Sequence, residues 1–141
     1  MSDFINRMIR AAKLDAKLYE EVEADPGLLS QAMGVVVISS VAAGIGRIGD
    51  VGVSGLILGA ISALLGWFVW AFMVYLIGTR ILPEPQTKST PGELLRTIGF
   101  SSSPGVIQVL GVVPVLAPIA YIGASIWMIA AMVVAVRQAL D

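Results

Sequence analysis

Three long stretches of this chain carry no charged residue. They cover residues 26–46, 51–79 and 97–136, which is 21, 29 and 40 residues. The hydrocarbon core of a bilayer is about 30 Å thick, so an α-helix needs about 20 apolar residues to cross it. Only 13% of the residues are charged, against about 25% in a soluble domain, and the mean hydropathy is +0.87. These features indicate an integral membrane protein and exclude an ordinary soluble enzyme or a disordered chain.

The longest run is too long for one helix, and Gly111–Pro114 offers a break because glycine relaxes the backbone and proline cannot continue a helix. Upstream, Thr90–Glu93 has the form of a helix start, with Thr as N-cap, Pro in the first turn and Glu three residues after the Thr. Pro104 predicts a kink near Ser103, and Arg96 is close enough to the end of this span to snorkel. We therefore predict an all-α protein with four transmembrane helices arranged as two hairpins. The expected spans are residues 27–46, 52–79, 91–111 and 114–138.

Residues 1–25 hold most of the acidic and many of the basic residues. Apolar side chains recur at helical spacing from Phe4 to Val22, which predicts an amphipathic helix on the membrane surface or on the cytoplasmic face of the protein itself. A turn at Asp25–Gly27 then leads into the first span. The predicted organisation is an interfacial helix at 1–25, followed by a four-span membrane domain at 26–141.

Basic residues predict the orientation, because Lys and Arg concentrate in cytoplasmic flanks. Of the nine, only Arg47 lies in the connection between the first and second spans. The other eight fall on the opposite side of the predicted topology: Arg7, Arg10, Lys13, Lys17, Arg80, Lys88, Arg96 and Arg137. We expect both termini in the cytoplasm.

The absence of certain residue types argues against several classes of function. The chain has no Cys and no His, which together supply most ligands for zinc, copper, haem and iron–sulfur clusters. No Asp, Glu, Lys or Arg lies deep inside a predicted span, which argues against ion-coupled transport. A serine here has no imidazole or intramembrane lysine to activate it, and a net charge of −1 gives no basic field for nucleic acid. We expect a non-enzymatic protein without a cofactor, a metal site or a nucleic-acid partner.

The second predicted span carries a ridge of small residues. Small residues let helix backbones approach closely in lipid. The ridge therefore predicts either packing against the first span, where Ser40 and Gly44 can face it, or an interface with a partner or a second copy. Its members are Gly55, Gly59, Ser62, Ala63 and Gly66.

Aromatic residues follow this ridge. They either anchor the helix at the membrane interface or form, with polar residues of the third span, a groove for a lipid, a quinone or another apolar ligand. The serines at 101–103 and Gln108 similarly predict either local repair of the kink or a polar notch. The candidate groove residues are Trp67, Trp70, Phe72, Tyr75, Phe100, Ser101 and Pro104.

Several segments resemble prokaryotic members of the Yip (Ypt-interacting protein) family. They are 14–26 in the first helix, 76–80 at the end of the second span, and 93–104. Within the last, Gly99–Pro104 resembles the Gly-Tyr-Ser-x-x-Pro element of eukaryotic relatives, with Phe in place of Tyr. The resemblance implies a multi-spanning membrane interaction protein, here of a prokaryotic cell (inner) membrane. Eukaryotic members bind Rab-type GTPases, but this chain lacks their long N-terminal region, so that partnership is not transferred.

The function expected from the sequence is a scaffold or accessory subunit that packs against other membrane proteins, or against itself, and organises them or the bilayer. Its recognition residues on the cytoplasmic side would be Tyr19, Glu20, Glu23 and Asp25. The alternative is a protein that binds or carries a lipid, a quinone or a small solute.

Overall fold

A computed structural model describes residues 2–81 and 89–140, and the elements in these ranges are helical. The α-helices are α1 (Ser2–Ala12), α2 (Ala16–Ala24), α3 (Leu29–Gly46), α4 (Ile48–Leu76), α5 (Pro91–Ser101) and α6 (Ala117–Leu140). A 3-10 turn at Pro26–Leu28 precedes α3, a π-helical turn at Ile77–Ile81 follows α4, and a 3-10 segment at Ser103–Val112 follows α5. Most of the predicted loop between the second and third spans, residues 82–88, lies outside the described residues.

Three helical stretches are long and apolar enough to cross a membrane: Pro26–Gly46, Gly52–Ile81 and Ala117–Leu140. They coincide with the predicted first, second and fourth spans, although the last begins at Ala117 rather than at residue 114. The second starts at Gly52, whose φ of +68° interrupts α4 after its first turn. A glycine adopts this left-handed backbone without the steric penalty that a side chain would bring.

The predicted third span is not one α-helix. It consists of α5, which ends at Ser101, and the 3-10 segment that begins at Ser103. Pro104 has no N–H to bond the carbonyl of Phe100, and the Ser103 hydroxyl donates to that carbonyl instead, at 2.7 Å. The kink is therefore where the sequence predicts it, with a serine repairing it, but the helix does not resume its α-form beyond it.

Helix α5 lies at the centre of the bundle. It packs against α3, α4 and α6, and all of the residues from Leu94 to Ser101 are buried. The predicted capping box at its start is confirmed: Glu93 N–H donates to the Thr90 hydroxyl at 3.2 Å, and Thr90 N–H donates to the Glu93 carboxylate at 3.3 Å. A Cβ at Gly99 would lie only 2.8 Å from Ala32 Cβ, so glycine is needed where α5 approaches α3.

The N-terminal region is two helices rather than the single helix that the sequence predicts. The chain breaks between α1 and α2, where Leu14 has a φ of +62°. Asp15 caps α2 by accepting from Lys17 N–H at 3.0 Å, and its carboxylate pairs with Arg10 Nε at 2.9 Å. The Arg10 guanidinium lowers the pKa of the Asp15 carboxyl. Aspartate prefers a cap to a helix interior because its side chain competes for backbone N–H groups, and that preference outweighs the continuous apolar spacing.

Helix α2 packs against α5 and α6. Its apolar side chains Leu18 and Val22 have no exposed surface. Arg96 of α5 is 7% exposed and donates from Nε to the Val22 carbonyl at 2.9 Å, and from Nη2 to the Glu23 carbonyl. These carbonyls belong to the last turn of α2 and have no partner within their own helix. Arg96 therefore does not snorkel to the interface, as the sequence analysis expected, but fixes α2 to the bundle.

Replacing Arg96 by leucine should destabilise the protein strongly, because both α2 carbonyls lose their donor. Hydrogen bonds from charged groups contribute about 1.5–3 kcal/mol each, so we expect the free energy of unfolding in mild detergent to fall by about 3 kcal/mol. Trypsin should then cleave at Arg10, Lys13 and Lys17 much faster. Arg80→Leu is the matched control, because Arg80 is exposed and its loss should change little. Equal effects of the two substitutions would contradict the role given to Arg96.

Glu23 at the end of α2 has a perturbed carboxyl group. Burial, followed by the nearby carboxylates of Glu93 and Glu20, raises its pKa to about 7, although the positive charge of Arg96 acts in the opposite direction. The folded protein therefore holds a proton on Glu23 at pH values where the unfolded chain, with an ordinary pKa of 4.5, has released it.

The raised pKa predicts a stability that falls as the pH increases from 4.5 to about 7. Glu23→Gln keeps the side chain uncharged, so the variant should unfold at a higher temperature than the parent at pH 8 and at the same temperature at pH 4.5. Thermal unfolding in detergent across this range measures the difference. The exposed Asp50→Asn serves as control, and an equal effect of Glu23→Gln at both pH values would refute the prediction.

Candidate functional site

An open cleft runs between α4 and α6. Helix α4 packs along α3 and α5, while α6 packs along α5 and the 3-10 segment, so the two helices face each other across a gap. At its centre is a cavity of about 500 Å³. Its walls are Ala63, Gly66, Trp67 and Trp70 of α4 and Ser125, Met128, Ile129 and Met132 of α6. Its floor is Val36, Ser39, Ser40, Ile98, Ser101, Ser102 and Gln108.

Two further cavities extend this cleft in opposite directions. Toward Arg137 lies a space of about 370 Å³ that shares Trp70 and Met132 with the central cavity. Toward Arg47 lies a space of about 350 Å³ that shares Ser40 and Gln108 with it. We call these three cavities, which share lining residues along α4, the α4–α6 groove.

The small-residue ridge of α4 forms a wall of this groove. Gly55 and Gly59 line the cavity near Arg47, and Ala63 and Gly66 line the central one. A Cβ built at Gly59 or Gly66 would meet no atom within 4 Å, so these glycines are not in contact with α3. Ser62, the remaining member of the ridge, is exposed. The ridge thus leaves space between helices.

Two tryptophans of α4 shape the groove. Trp67 is 6% exposed, and its indole Nε1 donates to the Leu95 carbonyl of α5 at 2.9 Å, which fixes the ring against the floor. The indole Nε1 of Trp70 lies 3.0 Å from the Met132 sulfur of α6. This contact bridges the groove where the central cavity meets the cavity near Arg137.

Of the seven residues predicted to form an apolar ligand groove, the structure brings together Trp67, Trp70 and Ser101. The other four do not line the cavity. Phe72 is half exposed, Tyr75 packs against the core, and Phe100 and Pro104 are completely buried. Met128 and Met132 of α6 and the serines of α3 and α6 also line the cavity but are not among the predicted groove residues. A serine inside an otherwise apolar helix is the signal that points to Ser39 and Ser125.

Several polar side chains line the central cavity although the helices around it are apolar. The hydroxyls of Ser40 and Ser101 donate to carbonyls of their own helices, at 2.9 and 2.6 Å. The side chains of Ser39, Ser125 and Gln108 make no hydrogen bond to any residue in the described ranges, and Ser39 is only 6% exposed. All three side chains line the cavity, and the Ser39 hydroxyl also lies against Gly105, where it leaves no room for a Cβ.

The four residues predicted as a recognition surface differ in their accessibility. Tyr19 has no exposed surface, and its hydroxyl donates to the Ala11 carbonyl at 3.0 Å. Glu20 and Asp25 are exposed, and Glu23 is half-buried beside Arg96.

Arg47 makes a cation–π contact with a tyrosine of α6. The Arg47 guanidinium lies 4.7 Å from the centre of the Tyr121 ring. No ion pair joins Arg47 to Asp50 within the described ranges.

Comparison of the chain with protein-family models, curated proteins and solved structures gave no match. The resemblance to the Yip family therefore stays a prediction.

In residues 2–81 and 89–140, no group of three acidic side chains is placed to hold a metal ion.

Proposed function

We propose that this protein binds a small amphiphilic molecule from the bilayer in the α4–α6 groove. The observation that carries the proposal is the cavity of about 500 Å³ between membrane-length helices, which combines apolar walls with a polar floor. Ligand sites are typically concave spaces of about 300–1,000 Å³, mostly apolar, with a few polar groups that set orientation. This proposal follows the ligand-binding alternative from the sequence rather than the scaffold function.

A substitution that fills the central cavity with a larger side chain should prevent ligand binding. In Gly66→Leu the new side chain enters the central cavity, and because its Cβ has open space the protein should still fold. The matched control is Gly123→Leu on α6, where a Cβ also meets nothing within 4 Å and which lines none of the three cavities. Native mass spectrometry of protein purified in mild detergent should show a bound small molecule in the parent and in Gly123→Leu, and none in Gly66→Leu. Equal occupancy in all three would refute the groove as the site.

The accessory-subunit function is a second candidate, supported by the space beside Gly59 and Gly66. A helix of another membrane protein, or of a second copy, would pack closely there because small residues permit close approach. The exposed carboxylates of Glu20 and Asp25, with the half-buried Glu23, would contribute polar contacts. The same purification tests this candidate. It would be favoured if a polypeptide accompanied the parent and Gly123→Leu but not Gly66→Leu, and if no small molecule were bound.

We further propose that the chain crosses the membrane four times and that both termini lie in the cytoplasm of a prokaryotic cell. The third crossing would be α5 and the 3-10 segment together. Eleven α-helical residues extend roughly 16 Å and ten 3-10 residues roughly 20 Å, enough for a hydrocarbon core of about 30 Å. Serine hydroxyls that satisfy the backbone at the break, as at Ser103, make an irregular crossing tolerable.

Reporter fusions test this topology. A reporter placed at residue 87 and one at the C-terminus should both indicate the cytoplasm, and one inserted after Gly49, beside Arg47, should indicate the outside. The insertion is the internal control, because a four-span chain requires it to differ from the other two. An external signal at either residue 87 or the C-terminus would refute four spans.

A further inference from the structure

We infer that the α4–α6 groove is selective for a lipid-soluble molecule with an uncharged, flat, carbonyl-bearing head, the chemistry of a quinone. This inference rests on the proposed function and names the class of its ligand. Three properties of the groove lead to it: the distribution of charge, the unpartnered polar groups and the shape of the walls.

Charge is confined to the two ends of the groove. Arg137 borders one outer cavity and Arg47 the other, whereas none of the described residues that line the central cavity is charged. A charged headgroup in that cavity would lose its hydration without gaining a counter-ion, which is costly. A phospholipid with its phosphate at either arginine would instead lay an acyl chain over the polar floor. The central position therefore favours a neutral head.

The polar groups that line the central cavity without a partner can donate hydrogen bonds to a carbonyl group of a ligand. Ser39 and Ser125 can each donate a hydroxyl hydrogen, and Gln108 can donate from its amide. These three side chains have no partner in the described residues, and Ser39 is more than nine-tenths buried. A ligand carbonyl gains a hydrogen bond by pairing with such a free donor.

The walls are suited to a planar ring with an apolar tail. On one side is Trp67, whose ring is held by its hydrogen bond to Leu95. On the other are the thioethers of Met128 and Met132, which adapt to aromatic faces and edges. A tail leaving the ring would extend past the Trp70–Met132 contact into the cavity of about 370 Å³ near Arg137, where three of the six lining residues are valines.

Fluorescence titration tests the ligand class. The full-length protein is purified in mild detergent, stripped of lipid and titrated with a short-tailed benzoquinone, while tryptophan emission reports quenching of Trp67 and Trp70. We expect saturable quenching in the parent protein and no saturable quenching in Gly66→Leu. The signal that remains in Gly66→Leu measures quenching by quinone dissolved in the micelle and is subtracted. Ser125→Ala and Ser39→Ala should each raise the dissociation constant about five- to tenfold, through loss of one hydrogen bond. Ser54→Ala, exposed on α4 and outside the groove cavities, should leave it unchanged.

Ser125 is exposed on α6, so its alanine variant should fold even if Ser39→Ala does not. Parallel titration with phosphatidylglycerol separates the two proposals. The inference is supported if quinone binding is saturable, is weakened by Ser125→Ala and is not displaced by phosphatidylglycerol. If phosphatidylglycerol alone binds, in a way that Gly66→Leu abolishes, the ligand class is wrong and the groove function stands. If neither compound binds in a way that depends on residue 66, both proposals are wrong.

Discussion

The rest of the fold depends on satisfying the backbone of α5 where it stops inside an apolar bundle. In surroundings without water, each unpaired carbonyl costs several kcal/mol. Pro104 removes a donor at this point, and Ser103 replaces it. Ser101, two residues earlier at the end of α5, also bonds its own backbone and lines the central cavity, as does Ser102. The run of serines at the break therefore both satisfies the backbone and supplies polar atoms to the floor of the groove.

The groove exists because small side chains do not fill the space between α4 and α6. In a bundle held by close contact, a glycine ridge faces a neighbouring helix, as Gly99 faces Ala32. Along α4 the glycines face open space, and Trp67 and Trp70 define the cavity beside them. The same helix thus combines apolar length for crossing a bilayer with a surface that leaves room for a molecule or a partner helix.

The sequence was sufficient for the long elements and for contacts between neighbouring residues, but not for contacts between distant segments. Uncharged runs located three membrane-length helices, and the Thr90 capping box and the Pro104 kink were both readable because each depends on neighbouring residues. The site was only partly predictable. Trp67, Trp70 and Ser101 were found from composition within a span, but Ser125 and Met132 are brought to the groove by packing between distant segments. Arg96 was misread for the same reason, since its acceptors lie 74 and 73 positions away.

That separation has a consequence for biosynthesis. Helices α1 and α2 are held by residues that are synthesised much later: Arg96 bonds α2, and Trp127 donates to the Ala12 carbonyl, 115 positions earlier. The amino-terminal segment therefore reaches its final position after α6 has been synthesised. Its docking therefore follows the assembly of the bundle, and a chain interrupted before α6 leaves the charged α1–α2 segment without the contact from Trp127.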